Sequence, residues 1–470
     1  MGEGYFESWL ERASGVEARG FFFLRGAPRV GFATHLNEKD KESIGGSARR
    51  RSVLFRHADF MKLWTGETVS LFGTRMGDVA ISFAAVIALK ASPFQMGILA
   101  AARIVPTLVL GLFAGVWVDR IRRRPILIGT DIGRFVVLGT IPIAAMFAAL
   151  TMPQLYAVIL AYSALDLFFD VAYRSYLPSL VEREDLLDAN SKLTASAGVA
   201  EAGGFALSGW LVQWLTAPFA ILIDAISFLA SALAIALIRK PEPSPAPRAN
   251  DTSVAREIAA GARLIFSDGR LRAFGMIAVV GGFANSLVST MYMLFVINAL
   301  GFQPGILGVI FAVGGASSLF GALAAQRAAD TLGTGMAMVA GLALEGVALM
   351  LLPIARGAGP GSIALLVAQQ LIGDCAATVY FINAVSLIQT VTPKPMLGRV
   401  NASLRFVSLG SVLVGQLVAG LAGGIIGLRA TIAIGAAGLW VTAALLAFSE
   451  VGSLTGMAEH AAPSVARADD

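Results

Sequence analysis

The chain contains a direct repeat. When the 470-residue sequence is shifted by 211 positions without a gap, Asp119 aligns with Asp330 and Asn190 aligns with Asn401. The same offset also aligns Gly97 with Gly308, Leu186 with Leu397, Gly204 with Gly415 and Gly209 with Gly420. A repeat of this length predicts two copies of one structural unit arranged with parallel topology.

Long apolar stretches indicate what each copy contains. Charged residues make up 14% of the chain and hydrophobic residues 56%, whereas soluble domains carry about 25% charged residues. Stretches long enough to cross about 30 Å of hydrocarbon recur twelve times, at roughly 66–89, 95–117, 125–149, 154–174, 192–215, 218–238, 272–299, 305–326, 334–355, 361–387, 402–425 and 428–448. A membrane barrel would instead show short alternating strands. The predicted fold class is therefore an all-α integral membrane protein, with twelve transmembrane helices forming two six-helix bundles related by the parallel repeat.

Composition also predicts how the chain is divided. We expect a disordered extension over 1–53, an N-terminal bundle over 54–239, a linker over 240–270, a C-terminal bundle over 271–449 and a disordered tail over 450–470. Four prolines stiffen the start of the linker. The apolar spacing of its later part predicts a short amphipathic helix along the membrane surface.

The distribution of basic residues orients the spans. Arg120, Arg122, Arg123 and Arg124 follow the second span, and seven further Lys and Arg residues lie in or beside the central connection between 239 and 272. The loops at 151–153, 216–218 and 300–304 contain no Lys or Arg. The positive-inside rule therefore predicts that both termini and the central connection are cytoplasmic. These loops also account for the net charge of +5, so no nucleic-acid partner is expected.

Signatures of enzymes and of cofactor sites are absent from the sequence. There is no Gly-x4-Gly-Lys-Ser/Thr loop, His-Glu-x-x-His pair or Gly-x-Ser-x-Gly elbow. The single cysteine, Cys375, and three histidines cannot form a metal or disulfide framework. We expect no enzyme activity, no cofactor and no metal site.

The loop after the second span carries a recognisable motif. It reads Gly115-Val-Trp-Val-Asp119-Arg120-Ile-Arg122-Arg123-Arg124 and resembles motif A of the major facilitator superfamily. Gly115, Asp119, Arg120, Arg123 and Arg124 match that pattern, and Arg122 replaces a glycine. Charges fixed in a tight turn can pair with acids or helix ends of the other bundle and hold one face closed. The alternative is that the arginines only fix the orientation of the loop.

Other phrases resemble one branch of that superfamily. They are Ser92-Pro-Phe-Gln-Met-Gly97, Ala101-Ala-Arg103, Asp131-Ile-Gly-Arg134, Tyr176-Leu-Pro-Ser-Leu-Val181, Ala189-Asn-Ser191 and Asp224-Ala-Ile-Ser-Phe228. Together they look like the drug:proton antiporters that include macrolide efflux proteins and the enterobactin exporter. This resemblance implies a monomeric, multi-pass exporter in the bacterial inner membrane, driven by the proton gradient. The Gly-Pro of the antiporter motif is missing, because Phe205 follows Gly204 and Gln416 follows Gly415.

Ionisable residues within the spans are candidate functional groups because they are costly in a bilayer. Asp78 lies near the middle of the first span, and Glu201 lies among glycines of the fifth without a basic neighbour in sequence. We interpret them as the first and second candidates for proton coupling. The alternative is a permanently paired charge, with Arg75 or Arg103 as the partner of Asp78.

A second group of charges is expected to form one ionic network on the cytoplasmic side. Its members are Asp131, Arg134, Asp166, Asp170 and Arg174, joined by Asp119 and Arg123. The spacing places Asp166, Asp170 and Arg174 on one helix face. Gating or structural pairing is the favoured role, with substrate or proton binding as the alternative.

The candidate cavity residues come from both copies. They are Arg103, Asn285, Ser289, Tyr292, Gln370 and Asp374. With 28 Phe and 14 Met residues, an apolar and aromatic cavity with few polar groups suits amphipathic small molecules. Asn190 and Asn401 are expected to cap helices.

The sequence thus predicts a proton-coupled secondary active exporter of amphipathic molecules, drug-like, macrolide-like or siderophore-like, that works by alternating access. Two alternatives stay open. One is a facilitator or importer of the same fold, and the other is a membrane receptor or accessory protein that does not transport.

Overall fold

The computed structural model describes residues 57–242 and 263–454. Twelve long helices cover most of these residues. They are α1 (Ala58–Phe83), α2 (Pro93–Arg120), α3 (Arg123–Met146), α4 (Met152–Leu180), α5 (Leu186–Leu215), α6 (Ala217–Ala236), α7 (Gly269–Leu294), α8 (Pro304–Leu332), α9 (Thr334–Ile354), α10 (Pro360–Val391), α11 (Leu397–Ile425) and α12 (Leu428–Ala447). Eleven of them are long and apolar enough to cross a membrane, and α5 is the exception. Its polar residues, including Asp188, Lys192 and Glu201, lower its hydropathy.

The repeat seen in the sequence recurs in the backbone. α1 continues as a π-helical turn over Ala84–Ala88, and α7 continues as one over Phe295–Ala299, at the same 211-residue offset. α2 and α8 each begin at a proline, Pro93 and Pro304, where the missing N–H leaves no intrahelical bond unmade. The predicted all-α membrane fold with two related bundles is confirmed.

Packing between helices follows the same symmetry. In the N-terminal half α1 packs on α5 and α6, α3 packs on α4 and α6, and α2 packs on α4. The C-terminal half repeats this arrangement, with α7 on α11 and α12, α9 on α10 and α12, and α8 on α10. The halves meet mainly where α5 packs on α8 and α2 packs on α11. Helices α2, α5, α7, α8 and α11 thus lie where the two halves meet.

The connections between helices define two ends of the protein. We call the end with the connections at 121–122, 181–185, 333 and 392–396 the basic end, and the opposite end the far end. Asp59 tethers the chain leaving α6 to the basic end, since its carboxylate accepts hydrogen bonds from the backbone N–H groups of Arg239 (3.2 Å) and Lys240 (2.9 Å).

Two local expectations need correction. Asn190 does not cap α5, because it lies inside the helix and its Nδ2 donates to the carbonyl of Leu186 (2.9 Å). Asn401 likewise lies inside α11, whose N-cap is Met396. The packed chain also extends past residue 449, where we expected the tail to begin: Val451 and Leu454 are buried. The carbonyl of Leu454 accepts a hydrogen bond from the N–H of Gly335 (3.0 Å), which holds this segment to the start of α9. The extension 1–53, the predicted amphipathic helix of the linker and most of the tail lie outside the described residues.

Candidate functional site

Four glycines bring the two halves together at the far end. A side chain added to Gly209 would lie 2.7 Å from Cα of Gly308, and one added to Gly97 would lie 3.0 Å from Cα of Gly420. The two contacts are therefore backbone to backbone, an approach that only glycine permits at such crossings. The side-chain oxygen of Gln213 adds a polar contact by accepting from the N–H of Gly305 (2.9 Å). The described contacts close the far end.

A cavity of about 330 Å³ lies in the C-terminal half beside Ser82 of the N-terminal half, and we call it the acidic chamber. Its walls come mainly from α7, α9 and α10. Its lining residues are Ser82, Asn285, Val288, Ser289, Tyr292, Met293, Phe311, Glu345, Leu349, Gln369, Gln370, Gly373 and Asp374. Five of the six predicted cavity residues, Asn285, Ser289, Tyr292, Gln370 and Asp374, thus surround one space.

Polar contacts in the acidic chamber are few. Asn285 donates through Nδ2 to Oε1 of Glu345 (3.2 Å), which joins α7 to α9. The hydroxyl of Tyr292 donates to Oε1 of Gln369 (3.1 Å), which joins α7 to α10. Asp374 has no side-chain hydrogen bond to any residue that the structure describes.

Aromatic rings form one wall of the same chamber. The ring centroids of Tyr292 and Phe311 are 5.6 Å apart, and those of Phe311 and Phe205 are 6.2 Å apart. Phe205 occupies the position where the antiporter pattern has proline, so the departure from that pattern creates an aromatic contact between the halves.

A second cavity of about 280 Å³, the arginine chamber, adjoins the first. Both chambers are lined by Ser82, Ser289 and Met293. In the arginine chamber Nη1 of Arg103 forms an ion pair with Oδ1 of Asp78. Arg103, rather than Arg75, is therefore the partner of Asp78, whose side chain is 25% exposed.

Glu201, the second proton-coupling candidate, lies on the exposed side of α5. The next residue, Ala202, touches α8, since a side chain added to Gly315 would lie 3.0 Å from Cα of Ala202. Asp374 approaches the neighbouring residue of α8, since a side chain added to Gly314 would lie 2.1 Å from its Oδ2. The two predicted candidates thus lie in different surroundings, one paired with arginine and the other near an acid of the opposite half.

The predicted ionic network is divided into separate groups. Arg134, 2% exposed, forms ion pairs with the buried Asp131 and with Asp166 (2.9 Å). Its guanidinium lies between two rings, 4.0 Å from the centroid of Phe169 and 4.2 Å from that of Phe228. This group is buried inside the N-terminal half, where α3 packs against α4 and α6.

Asp170 and Arg174 form a different pair, which lines a cavity of about 430 Å³ together with Glu67 and Asn190. Arg174 Nε and Asp170 Oδ1 are 3.0 Å apart, and the two side chains are 75% and 44% exposed. Asp170 and Asp166 share a helix face, but Asp166 pairs with Arg134 and Asp170 pairs with Arg174.

The motif after α2 makes its described contacts within its own half. Arg123 lies 3.8 Å from Asp119 and 3.8 Å from Glu242. The Glu242 carboxylate accepts hydrogen bonds from the backbone N–H groups of Arg123 (2.6 Å) and Arg124 (3.1 Å), and so caps the start of α3. Arg124 donates to the carbonyls of Ile235 (3.3 Å) and Ala236 (2.6 Å) at the end of α6. A contact of the motif with the other half stays a prediction.

Two further members of the motif have different positions. A side chain added to Gly115 would meet no atom within 4 Å, and the side chain of Arg120 is exposed. The position of Gly115 does not require a glycine for packing in this conformation.

Sequence reasoning missed three residues that shape these sites. Glu345 and Gln369 are not among the predicted site residues, and Glu242 lies in a proline-rich connection that gives no helical signal. Glu345 had the clearest signal, because an acid within an apolar span is a candidate functional group. The roles of Gln369 and Glu242 depend on contacts between distant segments.

Comparison with known proteins identifies the family. Residues 63–413 match the model of the Major Facilitator Superfamily. The chain belongs to this superfamily. It is a multi-pass membrane transporter, with a family and a fold that are those of transporters rather than enzymes.

Relatives of this transporter are distant. It is 26% identical over 378 residues to the uncharacterized MFS-type transporter YfiS of Bacillus subtilis (strain 168), covering 79% of this chain and 87% of YfiS. The nucleoside transporter NupG has a similar structure, with a TM-score of 0.66, 15% identity and coverage of 83% of this chain and 98% of NupG. A bacterial homologue of the iron transporter ferroportin in an inward-facing state has a TM-score of 0.63, 16% identity and coverage of 84% and 98%. At these identities the structures share the fold alone.

Proposed function

We propose that this transporter is a proton-coupled secondary active exporter of amphipathic small molecules, working by alternating access in the bacterial cell membrane. The observation that carries the proposal is that Asp78 lines a chamber between the two halves, and that Glu345 and Asp374 line the chamber adjoining it. Buried acids are costly in a membrane, and a transporter gains from them if they exchange protons or bind a charged substrate.

Alternating access is supported by where the halves touch. The glycine contacts lie at the far end, and cavities extend toward the basic end in both halves. With the basic end in the cytoplasm, as the positive-inside rule requires, this conformation receives a substrate from the cytoplasm. Parting of the glycine contacts and closure at the basic end would then release it outside.

Closure at the basic end is the role we propose for the motif after α2. Glu242 and Arg123 hold the loop to its own half in this conformation. When the basic ends of the halves approach each other, these contacts would be exchanged for contacts with the other half. The residues that would form the new contacts are Asp119, Arg120 and the neighbouring arginines. An exchange of ion pairs at an interface is a common means of switching between two states.

Proton coupling is proposed for Asp78 first and Glu201 second. Asp78 bonds to Arg103 at the wall of a chamber that both halves line. Protonation of Asp78 would break its ion pair with Arg103. The protonation state of this one carboxyl would therefore change the net charge that the arginine chamber presents to a substrate. Glu201 has no described basic partner and lies near Asp374, so neutralising one of these acids relieves their repulsion.

The chambers are amphipathic in character. Tyr292, Phe311 and Met293 provide apolar surface beside Gln369 and Gln370. An amphipathic molecule can use both kinds of surface, with its polar part at these side chains and its apolar part at the rings.

The experiment is accumulation of fluorescent amphipathic compounds in drug-sensitive cells that express the chain, with and without a protonophore. Expression is expected to lower accumulation, and the protonophore is expected to restore it. Asp78→Asn and Glu201→Gln should abolish the effect, whereas Glu182→Gln, at an exposed position in the connection between α4 and α5, should retain it. Export that continues at the same rate with the protonophore would contradict proton coupling and indicate a facilitator.

A further inference from the structure

The acidic chamber has an imbalance of charge. Glu345 and Asp374 line it, and its described lining contains no Lys or Arg. Glu345 accepts a hydrogen bond from Asn285 (3.2 Å), and Asp374 accepts none from a described side chain or N–H group. An ionised carboxylate away from bulk water requires a positive partner or several donors. A cationic ligand would supply what the chamber lacks.

A buried amide in the same chamber is an independent indication of a ligand. Gln370 is 8% exposed and lines the chamber, yet it has no hydrogen bond to any residue that the structure describes. Its neighbour Gln369, by contrast, bonds to Tyr292. Buried amides nearly always have partners, so the free amide of Gln370 points to a group that occupies the chamber.

The aromatic wall is compatible with the same ligand chemistry. Tyr292 and Phe311 lie with centroids 5.6 Å apart at the edge of the chamber. Aromatic faces attract organic cations within about 6 Å, most strongly where water is excluded. Two carboxylates and two rings form a site for an ammonium group, rather than for a small inorganic cation that requires a full set of oxygen ligands.

A third cavity of about 530 Å³, the apolar chamber, continues from the acidic chamber toward the basic end. Asn285 and Glu345 line both spaces. Apolar and aromatic residues dominate the lining of the new chamber, including Phe274, Ile277, Leu342, Tyr380 and Phe381. Its charged residues are Glu345, shared with the acidic chamber, and Arg405 on α11. A cationic group is attracted to the first and repelled by the second, which orients a bound molecule.

We propose that the acidic and apolar chambers form a two-part site for an amphipathic organic cation. The ammonium group binds between Glu345, Asp374 and Gln370, and the hydrocarbon body extends past Asn285 into the apolar chamber. The assignment rests on the proposed function for its role in transport, but binding itself requires neither a proton gradient nor a particular transport direction.

The test is direct binding to the purified full-length chain in lipid nanodiscs, with empty nanodiscs subtracted. The probes are butyl-, hexyl- and octyltrimethylammonium, whose charge does not change with pH, together with octanesulfonate. We expect the ammonium ions to bind at least tenfold more tightly than the sulfonate. Affinity should rise by up to about fourfold per methylene, the value for full burial of a CH₂ group.

Two variants separate the parts of the site. Glu345→Gln should weaken the binding of octyltrimethylammonium at least tenfold. It should leave the dependence of affinity on the alkyl chain length unchanged. Ala377→Phe, which fills the apolar chamber, should reduce the gain in affinity per methylene. It should leave unchanged the preference of the protein for ammonium over sulfonate ligands. Glu182→Gln, at an exposed position in the connection between α4 and α5, is the matched control and should change neither property.

Equal binding of octanesulfonate and octyltrimethylammonium to the unaltered chain would overturn the proposal, whatever the stability of the variants. An unchanged chain-length dependence in a folded Ala377→Phe variant would overturn the assignment of the hydrocarbon to the apolar chamber. Proton-driven export of other compounds without any binding of these cations would overturn this site and leave the proposed function intact. Binding of these cations without proton-driven flux would overturn the proposed function and leave this site intact.

Discussion

Gly209 lies against Gly308 across the two halves, and the internal repeat relates this contact to a second one. The 211-residue offset converts Gly97 into Gly308 and Gly209 into Gly420, and Gly97 lies against Gly420 in the structure. The far end is thus closed by two equivalent backbone contacts, as expected at an interface between two symmetry-related units.

Gly209→Ala is expected to open the far end. The added methyl group would lie 2.7 Å from Cα and 2.9 Å from N of Gly308, and backbone atoms cannot move aside as a flexible side chain can. The measurement is the distance between spin labels on the loops at 147–151 and 355–359, in a background without Cys375. We expect a larger fraction of long distances.

The matched control for this prediction is Gly198→Ala on the same helix, where the added methyl group meets nothing within 4 Å. Its distance distribution should equal that of the unaltered protein. Equal distributions for Gly209→Ala and the unaltered protein would show that the contact does not control the far end.

Removal of the guanidinium of Arg134 should destabilise the N-terminal half strongly. Arg134→Gln leaves Asp131, which is fully buried, without its cationic partner. Breaking a buried pair in this way typically costs about 3–5 kcal/mol. We expect a large fall in the thermal unfolding temperature of the purified protein, or loss of folded protein from the membrane.

Arg174→Gln is the control for Arg134→Gln, since it removes a similar helix-borne ion pair from an exposed site. Exposed pairs of this spacing contribute about 0.3–0.5 kcal/mol, so its melting temperature should hardly change. Similar losses for the two variants would mean that burial of Arg134 does not matter for stability.

Glu242 is expected to stabilise the basic end through the start of α3. Glu242→Gln replaces the charge that caps the N–H groups of Arg123 and Arg124 and lies near the Arg123 side chain. Charge-assisted hydrogen bonds contribute about 1.5–3 kcal/mol, and an amide retains part of that energy, so a loss of about 1 kcal/mol is expected. Glu182→Gln, at an exposed position of the next connection, should leave the melting temperature unchanged; an equal fall in both variants would argue against capping.

Breaking the Asp78–Arg103 pair should affect transport more than stability. Both side chains are partly exposed at the arginine chamber, so Asp78→Asn is expected to remain folded. Its pH-driven transport should fall at least tenfold, because an amide cannot carry a proton. The measurement is initial flux into vesicles at matched protein content, and Ser289→Ala in the wall of the same chamber tests for a general effect on the cavity. Normal pH-driven flux in Asp78→Asn would exclude Asp78 as the coupling group.

The sequence predicted those parts of the structure that depend on local hydrophobicity and on the repeat. Helix number and the equivalence of α1 with α7 follow from span length and the 211-residue offset. The ionic network was predicted less well, because spacing along α4 shows that Asp166 and Asp170 share a face but not which of them meets α3. Arg134 pairs with Asp166 because α3 packs against α4 and α6. That packing is tertiary structure, which residue spacing along one helix does not show.

Long-range contacts explain the other differences. Asn190 resembles a helix cap in sequence, yet α5 begins four residues earlier and the side chain bonds within the helix. The sequence leaves both Arg75 and Arg103 as possible partners of Asp78. Only the approach of α2 to α1 shows that Arg103 forms the ion pair. Glu242 caps α3 from a segment more than 100 residues away, a relationship that no local pattern encodes.

Proton coupling is the central claim, and flux into proteoliposomes with a controlled pH gradient tests it most directly. The substrate would be a compound that the cell assay shows to be exported. The account predicts that vesicles acidic inside accumulate it above equilibrium, that a protonophore abolishes accumulation, and that Asp78→Asn vesicles only equilibrate. Equilibration at the same rate with and without the gradient in the unaltered protein would contradict the account.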